Sequence, residues 1–200
     1  MQKSAKTNHV YNAILSRRTI RRFTQKQLSL EILKKLVNAA RLAPSAANLQ
    51  PLEYVIVNEK NVCSQIFEAL GWAAYLTPRW TPSVEERPVA YIVIVVKDTT
   101  NKYYPRDVGF ATENMVIAAE ENDIGSCILC NINRDTIREI INAPKEYEVD
   151  SIIALGYKAE HPVVEELTDS VKYWRNEQGV LHVPKRNLED IIHLNGFLER

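Results

Sequence analysis

Arg17, Arg18, Thr19 and Arg21 set three guanidinium groups and a hydroxyl within five residues of one another. An arginine presents several N–H donors in a planar fork that matches a phosphate, and Thr19 adds a hydroxyl, so this string can hold a phosphomonoester. Taken alone, the same string is also what a solvated helix end looks like, because cations favour the carbonyl end of a helix. Further along, Ala43-Pro44-Ser45-Ala46-Ala47-Asn48-Leu49-Gln50-Pro51 supplies small residues, main-chain donors and side-chain amides. Its plain reading is a stop between a helix and a strand. Lys185 and Arg186 add a second cationic pair near the C-terminus, which suits a phosphomonoester of nearly two charges or, equally, a basic surface loop.

Other chemistries find less support. His9, His161, His182 and His193 lack metal-ligand spacing, so no metal site is expected, and neither a phosphate-loop nor a dinucleotide glycine fingerprint is present. Cys127 and Cys130 have two residues between them, but in an apolar, strand-like run, where Cys127 is expected to fill core and a redox pair is not expected. Trp72, Tyr75 and Trp80 could stack on a planar substrate or form subunit contacts.

The scaffold that must position these groups is well specified. Two hundred residues with 46% apolar content can bury a full core, and the length suits one domain spanning 1–200. Lysine plus arginine and aspartate plus glutamate are balanced at 25 each, so no long-range field favours nucleic acid or an anionic membrane. The opening Met1 to Asn8 is polar, without the apolar core of a secretory leader, and no apolar run reaches membrane-spanning length. With three cysteines, Cys63, Cys127 and Cys130, free thiols and a cytoplasmic location are expected.

Periodicity predicts helices over Val10–Ser16, over the residues capped by Ser29 and stopped before Pro44, over Asp107–Asn122 with Gly125 as a stop, and over Asn133–Asn142. A last helix is expected from Leu188. Strands are expected at Glu53–Val57, Val89–Val96, Cys127–Leu129 and Val149–Gly156, with a polar stretch from Lys158 to Gly179. The second strand is apolar enough to be covered on both faces.

The order of these motifs resembles the nitroreductase family, flavoenzymes that carry FMN at a homodimer interface. The family's Arg-Arg-Ser-x-Arg-like string precedes the helix that runs into Ala-Pro-Ser-x-x-Asn-x-Gln-Pro, and both stand here at that spacing. Asp123 to Asn131 resembles the family's Gly-Leu-Gly-Thr-Cys-Trp-Ile-Gly-Gly stretch, although Ile128 replaces the tryptophan and Cys130-Asn131 the paired glycines. Val183-Pro184-Lys185-Arg186 is similar to its Pro-Lys-x-Arg-like element.

The resemblance implies an α+β fold, a three-layer sandwich in which a mixed, mainly antiparallel sheet is flanked by helices, in an intertwined homodimer. It implies that Arg17, Thr19, Lys185 and Arg186 hold the FMN phosphate, with Arg18 contributing main chain. Arg21 is implied to reach the pyrimidine edge of the flavin, where a guanidinium favours the charge that reduction deposits and serves as the catalytic group. Pro44, Ser45, Ala46, Asn48 and Gln50 are implied to meet the flavin from the other subunit. Leu129, Cys130 and Asn131 are implied to flank N5. The implied reaction is ping-pong hydride transfer from NADH or NADPH through N5 to a small electron-poor acceptor such as a nitroaromatic or quinone. A flavin storage or sensor protein, and a relative with a dehalogenating or biosynthetic task, are the alternatives.

Overall fold

The computed structural model describes residues 8–197. Asn8 caps α1 (His9–Ser16) by accepting from the Tyr11 amide, and Ser29 caps α2 (Leu30–Arg41) by accepting from the Ile32 amide. After a 3-10 turn at Ala46–Asn48 the chain forms β1 (Leu52–Val57), α3 (Lys60–Glu68), β2 (Ala90–Val96) and the long α4 (Tyr104–Glu121). Then follow β3 (Ile124–Leu129), α5 (Arg134–Ile140) and β4 (Glu148–Tyr157). Three short strands, β5 (Val163–Glu166), β6 (Trp174–Arg175) and β7 (Leu181–Lys185), close the described chain.

The main sheet has the order β1-β2-β4-β3 and is antiparallel throughout. β2 lies inside it, and every one of its residues is buried, as its unbroken apolar run requires. Its side chains alternate between two cores. Ile92, Ile94 and Val96 pack with Leu33 and Leu36 of α2 and Met115 and Ala119 of α4. Tyr91, Val93 and Val95 pack with Ile66 and Phe67 of α3 and Ile137 of α5. Helices therefore cover both faces, which gives the three-layer α+β sandwich. The small sheet, β5-β7-β6, contains the parallel pairing: β5 runs parallel to β7 and β6 antiparallel to it.

Several elements depart from expectation. α3 carries no strong sequence signal, yet it buries Cys63, Ile66 and Phe67 on one face. Gly125 does not stop α4. The helix ends at Asn122, Asp123 takes up the left-handed turn at φ 55°, and Gly125 lies within β3. The stretch from Lys158 to Gly179 contains β5 and β6, and the helix expected from Leu188 is only a 3-10 turn over Leu188–Asp190. Its apolar residues Leu188, Ile191 and Ile192 are exposed.

Gly125 and Gly156 serve a different purpose. An extended arm, residues 19–24, crosses the β3–β4 end of the sheet, bridging Thr19 to Ser126 and Phe23 to Lys158. A Cβ at Gly125 would sit 2.8 Å from Ile20 Cγ2, and one at Gly156 would sit 2.9 Å from Phe23 Cβ. Both Ile20 and Phe23 are buried, so the arm lies this close only because the two positions lack side chains. Gly156→Ala is expected to cost roughly 1–3 kcal/mol through overpacking. Gly109→Ala, on an open face of α4 where an added Cβ meets nothing within 4 Å, is expected to gain about 0.5–1 kcal/mol. Denaturant midpoints measure both, and equal shifts would contradict the close approach of the arm.

Candidate functional site

The arm and the small sheet enclose a cleft of about 380 Å³. Arg17, Arg18, Thr19 and Arg21 line one side, and Tyr173, Val183 and Lys185 the other. Four cations thus converge from two segments far apart in sequence. Arg17 is only loosely engaged, its Nε 3.7 Å from Glu113 Oε1. The Arg18 guanidinium folds back onto the carbonyls of Arg17 and Leu15, so Arg18 serves the main chain of its own turn. Its ionisation is held below the usual arginine value by burial and by the charge of Arg17, with Glu120 opposing. Arg186 points away and donates to the Asp190 carbonyl at 3.0 Å; it does not line the cleft.

Arg21 is held at its main chain and at its side chain by different partners. Ile20 N–H donates to the Ser126 carbonyl at 2.9 Å. The Arg21 and Arg22 amides both donate to Glu160 Oε1, at 2.5 and 3.2 Å. Glu160 Oε2 in turn accepts from Arg175 Nη2 at 2.7 Å. That ion pair is buried, with the Glu160 side chain 6% exposed. The Arg21 guanidinium lies over the Tyr173 ring at 4.6 Å, and its Nε is buried without a partner among the described residues. Arg22 turns the other way, to Glu86 and the face of Trp80. Glu160, Arg175 and Tyr173 gave no signal in the sequence, since each follows no local motif and acts only through a long-range contact.

Pro44, Ser45 and Gln50 line a separate cleft with Arg41, Tyr54 and Asp107, which shares no lining residue with the first. Ala46 and Asn48 lie on its turn but do not line it. The turn is organised by Asp107, a buried carboxylate in the first turn of α4. Asp107 accepts from Ser45 Oγ at 2.7 Å and from the Ala46 amide at 3.0 Å, while Ser45 Oγ accepts from the Gln50 amide at 3.0 Å. These bonds hold Ala47, Asn48 and Gln50 at φ 50°, 56° and 50°. Ala47 has no side chain that eases the left-handed region, so this turn stores strain, as ligand-contacting turns do. An acidic residue in the first turn of a helix was the available signal for Asp107.

Leu129, Cys130 and Asn131 end β3 outside both clefts. Leu129 is buried core, Cys130 is exposed, and Asn131 packs against Gly71, whose amide donates to its carbonyl at 2.8 Å. Burial, with Asp150 second, pushes the Cys130 thiol up, and burial pushes Cys127 up to about 11, with Arg21 opposing. Neither is poised as a thiolate at neutral pH. Trp72 is core, stacked on Phe67 at 5.5 Å, whereas Tyr75 stands beside Tyr173 at 5.2 Å and Trp80 lies between Arg22 and Arg175. Among the described residues no cluster of metal-binding side chains forms, and no helix is long and apolar enough to cross a membrane.

Residues 14–157 match the model of the nitroreductase family. The chain belongs to that family. A protein of Archaeoglobus fulgidus with the provisional name NADH dehydrogenase/NAD(P)H nitroreductase is 32% identical over 152 residues, which are 72% of this chain and 82% of that one. An iodotyrosine deiodinase of Thermotoga neapolitana is 26% identical over 165 residues, 74% of this chain and 88% of that one. Among solved structures, an FMN-dependent nitroreductase from Clostridium difficile superposes with a TM-score of 0.67 at 23% identity, covering 94% of this chain and 99% of the other. In this nitroreductase-family chain the arginine arm, the 43–51 turn and the end of β3 all fall inside the matched span, and Lys185 and Arg186 lie beyond it.

The hold on the arm can be tested alone. Glu160→Ala leaves Arg175 buried without its counter-charge and two amides without an acceptor, and is expected to cost about 3 kcal/mol or more. Glu160→Gln keeps one acceptor and should cost less. Chemical denaturation of the two variants gives the ordering, and equal losses would show that the retained acceptor contributes nothing and that the carboxylate's charge alone holds the arm.

Proposed function

We propose that the chain is an NAD(P)H-dependent FMN oxidoreductase and that the cleft between the arm and the small sheet holds the flavin. The observation that carries this reading is the convergence of Arg17, Thr19, Arg21 and Lys185 on one space in a member of this family. The residues present fit the cofactor. Arg17, Thr19 and Lys185 supply charge and a hydroxyl for a phosphomonoester, and Arg21 offers a buried, unpartnered Nε beside an aromatic face. Bound there, FMN supplies a two-electron carrier that accepts hydride from NADH or NADPH and returns it to an electron-poor acceptor such as a nitroaromatic or quinone.

The protein's own part is positioning and charge. Arg17 and Lys185 fix the phosphate end. Glu160 fixes the Arg21 main chain, which leaves the Arg21 guanidinium a preorganised positive charge that needs no reorganisation when negative charge grows opposite it. We further propose that the 43–51 turn acts on the arginine cleft of a second copy. The two clefts are separate within one chain. Exposed Val10, Tyr11, Ile14 and Leu15 on α1, with Leu194 and Phe197 in the C-terminal tail, offer apolar side chains to such an interface. Leu129, Cys130 and Asn131 are proposed to serve the same site through their main chain. The iodotyrosine deiodinase relative keeps a dehalogenating acceptor as the second reading.

The purified protein is expected to be yellow, to release FMN on denaturation and to bleach when mixed with NADH or NADPH without oxygen. A protein that binds FMN but is bleached by neither nucleotide would be a storage or sensor protein instead, and iodide release from iodotyrosine would mark the second reading. Sedimentation is expected to show a dimer, and a stable monomer with one FMN per chain would overturn the shared site. Arg17→Ala is expected to weaken FMN by on the order of 2 kcal/mol while leaving riboflavin binding unchanged. Equal loss of both ligands would point to a disturbed fold. Arg21→Ala, reloaded with FMN to equal occupancy, is expected to lower the flavin midpoint potential and slow its reduction together. Unchanged rate and potential would remove Arg21 from the mechanism.

A further inference from the structure

On the other side of β2 from α2 and α4 lies a second space that the flavin reading does not use. It is a cleft of about 190 Å³ between α3 and the loop that leads into β2, lined by Lys60, Cys63, Ser64, Phe67, Arg87 and Tyr91 among others. It shares no lining residue with the arginine cleft or with the 43–51 turn.

Tyr91 is the reason to look here. It is completely buried within the main sheet, yet its hydroxyl has no hydrogen-bond partner among the described residues. Tyr91 lines the cleft together with Cys63 and Arg87, while its ring packs in the core behind it, and the Glu68 carboxylate that bears on the hydroxyl is already paired with Arg87. A phenylalanine would fill the same core without leaving a buried donor unmatched, which costs about 1–3 kcal/mol. Arg87 repeats the pattern. One guanidinium nitrogen pairs with Glu68 at 3.2 Å and the plane stacks 3.8 Å from Phe67, but Nε is buried and unpartnered.

The donors and acceptors of the cleft decide what could fill it. No carboxylate lines it. Gln25 spends its amide N–H groups on the carbonyls of Glu85 and Arg87, and Ser64 donates to the Lys60 carbonyl at 2.9 Å. The Cys63 thiol faces the carbonyls of Val57 and Val89, and burial pushes its ionisation up to about 11, so it brings no negative charge. Burial likewise raises Tyr91 and keeps it a neutral donor. What remains is a surplus of donors, from Tyr91, Arg87 Nε and the exposed ammonium of Lys60, with positive charge and little room. Such a set calls for an occupant that is small, anionic and rich in acceptors.

We propose that this cleft is a second ligand site, in which Tyr91, Arg87 and Lys60 bind a compact oxyanion, a phosphate or a short carboxylate. Its two buried donors are satisfied when the anion is present, so the anion stabilises the fold by binding the native state alone.

The test is thermal melting of the full-length, FMN-saturated protein in a zwitterionic buffer, titrated with inorganic phosphate or with acetate at ionic strength matched by chloride. Saturation with FMN, and a repeat on an Arg17→Ala background, keep the arginine cleft from answering instead. At least one of the two anions is expected to raise the melting temperature by roughly 3 °C or more once it exceeds its dissociation constant tenfold. Tyr91→Phe and Lys60→Glu are each expected to reduce that rise to a third or less, with the FMN absorbance per chain unchanged. Phosphate alone acting, or acetate alone, names the source. Should Tyr91→Phe fold poorly, Lys60→Glu, a change at an exposed position, carries the result. No rise beyond that of chloride overturns the proposal. So does a Tyr91→Phe protein that is more stable than wild type and responds to the anion as wild type does, since solvent alone would then occupy the cleft.

Discussion

One buried carboxylate ties together the parts of the chain that form the arginine cleft. Glu160 lies just beyond β4, accepts two consecutive main-chain amides from the arm and pairs with Arg175 of the small sheet. An arm that crosses the end of a sheet has few ladder partners, so its peptide groups need acceptors from elsewhere. A carboxylate in contact with two amides and a guanidinium replaces the water it has lost, which is the condition under which a buried charge holds a structure together. Because the bonds go to the main chain at 21 and 22, the side chains of Arg21 and Arg22 leave in opposite directions, one to the cleft and one to Trp80.

The layered body beneath provides the rigidity this needs. β2 alternates its side chains strictly between two helical layers. β4 does so from Ile152 to Leu155 and breaks the alternation before that, where its pairing with β2 shifts register between Ile94 and Val95 and Val149 returns to the same layer as Ile152. Gly125 of β3 and Gly156 of β4 lie against Ile20 and Phe23 of the arm, while Ile124, Leu129, Ile152, Ile153 and Leu155 of the same strands pack in the helix-covered cores. The same strands therefore serve packing on one part of their length and close main-chain approach on another.

How much of this could be read from residues alone follows from the range of each interaction. α2 was legible because a capping serine, an apolar repeat and a proline all act within a few residues. β2 was legible because burial on both faces demands an apolar run. Arg17, Thr19, Arg21 and Lys185 were named from charge and from resemblance, and they meet in one cleft. Glu160, Arg175 and Tyr173 were not named, because each acts through a tertiary contact and nothing local sets it apart. Asp107 was read only as the start of a helix, although an acidic residue in a first turn was a local signal. The helix expected at Leu188 had the composition of an amphipathic segment, but its apolar side chains stay exposed among the described residues and only a 3-10 turn forms. Gly125 was misread for a related reason: glycine marks helix ends often, and only the tertiary structure shows Ile20 against it.

The small sheet buries little. Leu181 is buried, while Val163, Val164 and Trp174 are each 41–44% exposed, and this part of the chain meets the arm through Tyr173 and Gly179 and, by way of Glu160, through Arg175. Yet this sheet forms one wall of the arginine cleft. A molecule held there is enclosed by a wall whose detachment does not require the sandwich to melt. Its residence time is therefore set by the lifetime of a few contacts, the Glu160–Arg175 pair foremost, and escape and global unfolding become separate clocks. A change in the small sheet that spares this buried pair can shorten occupancy a great deal while leaving the melting temperature nearly where it was.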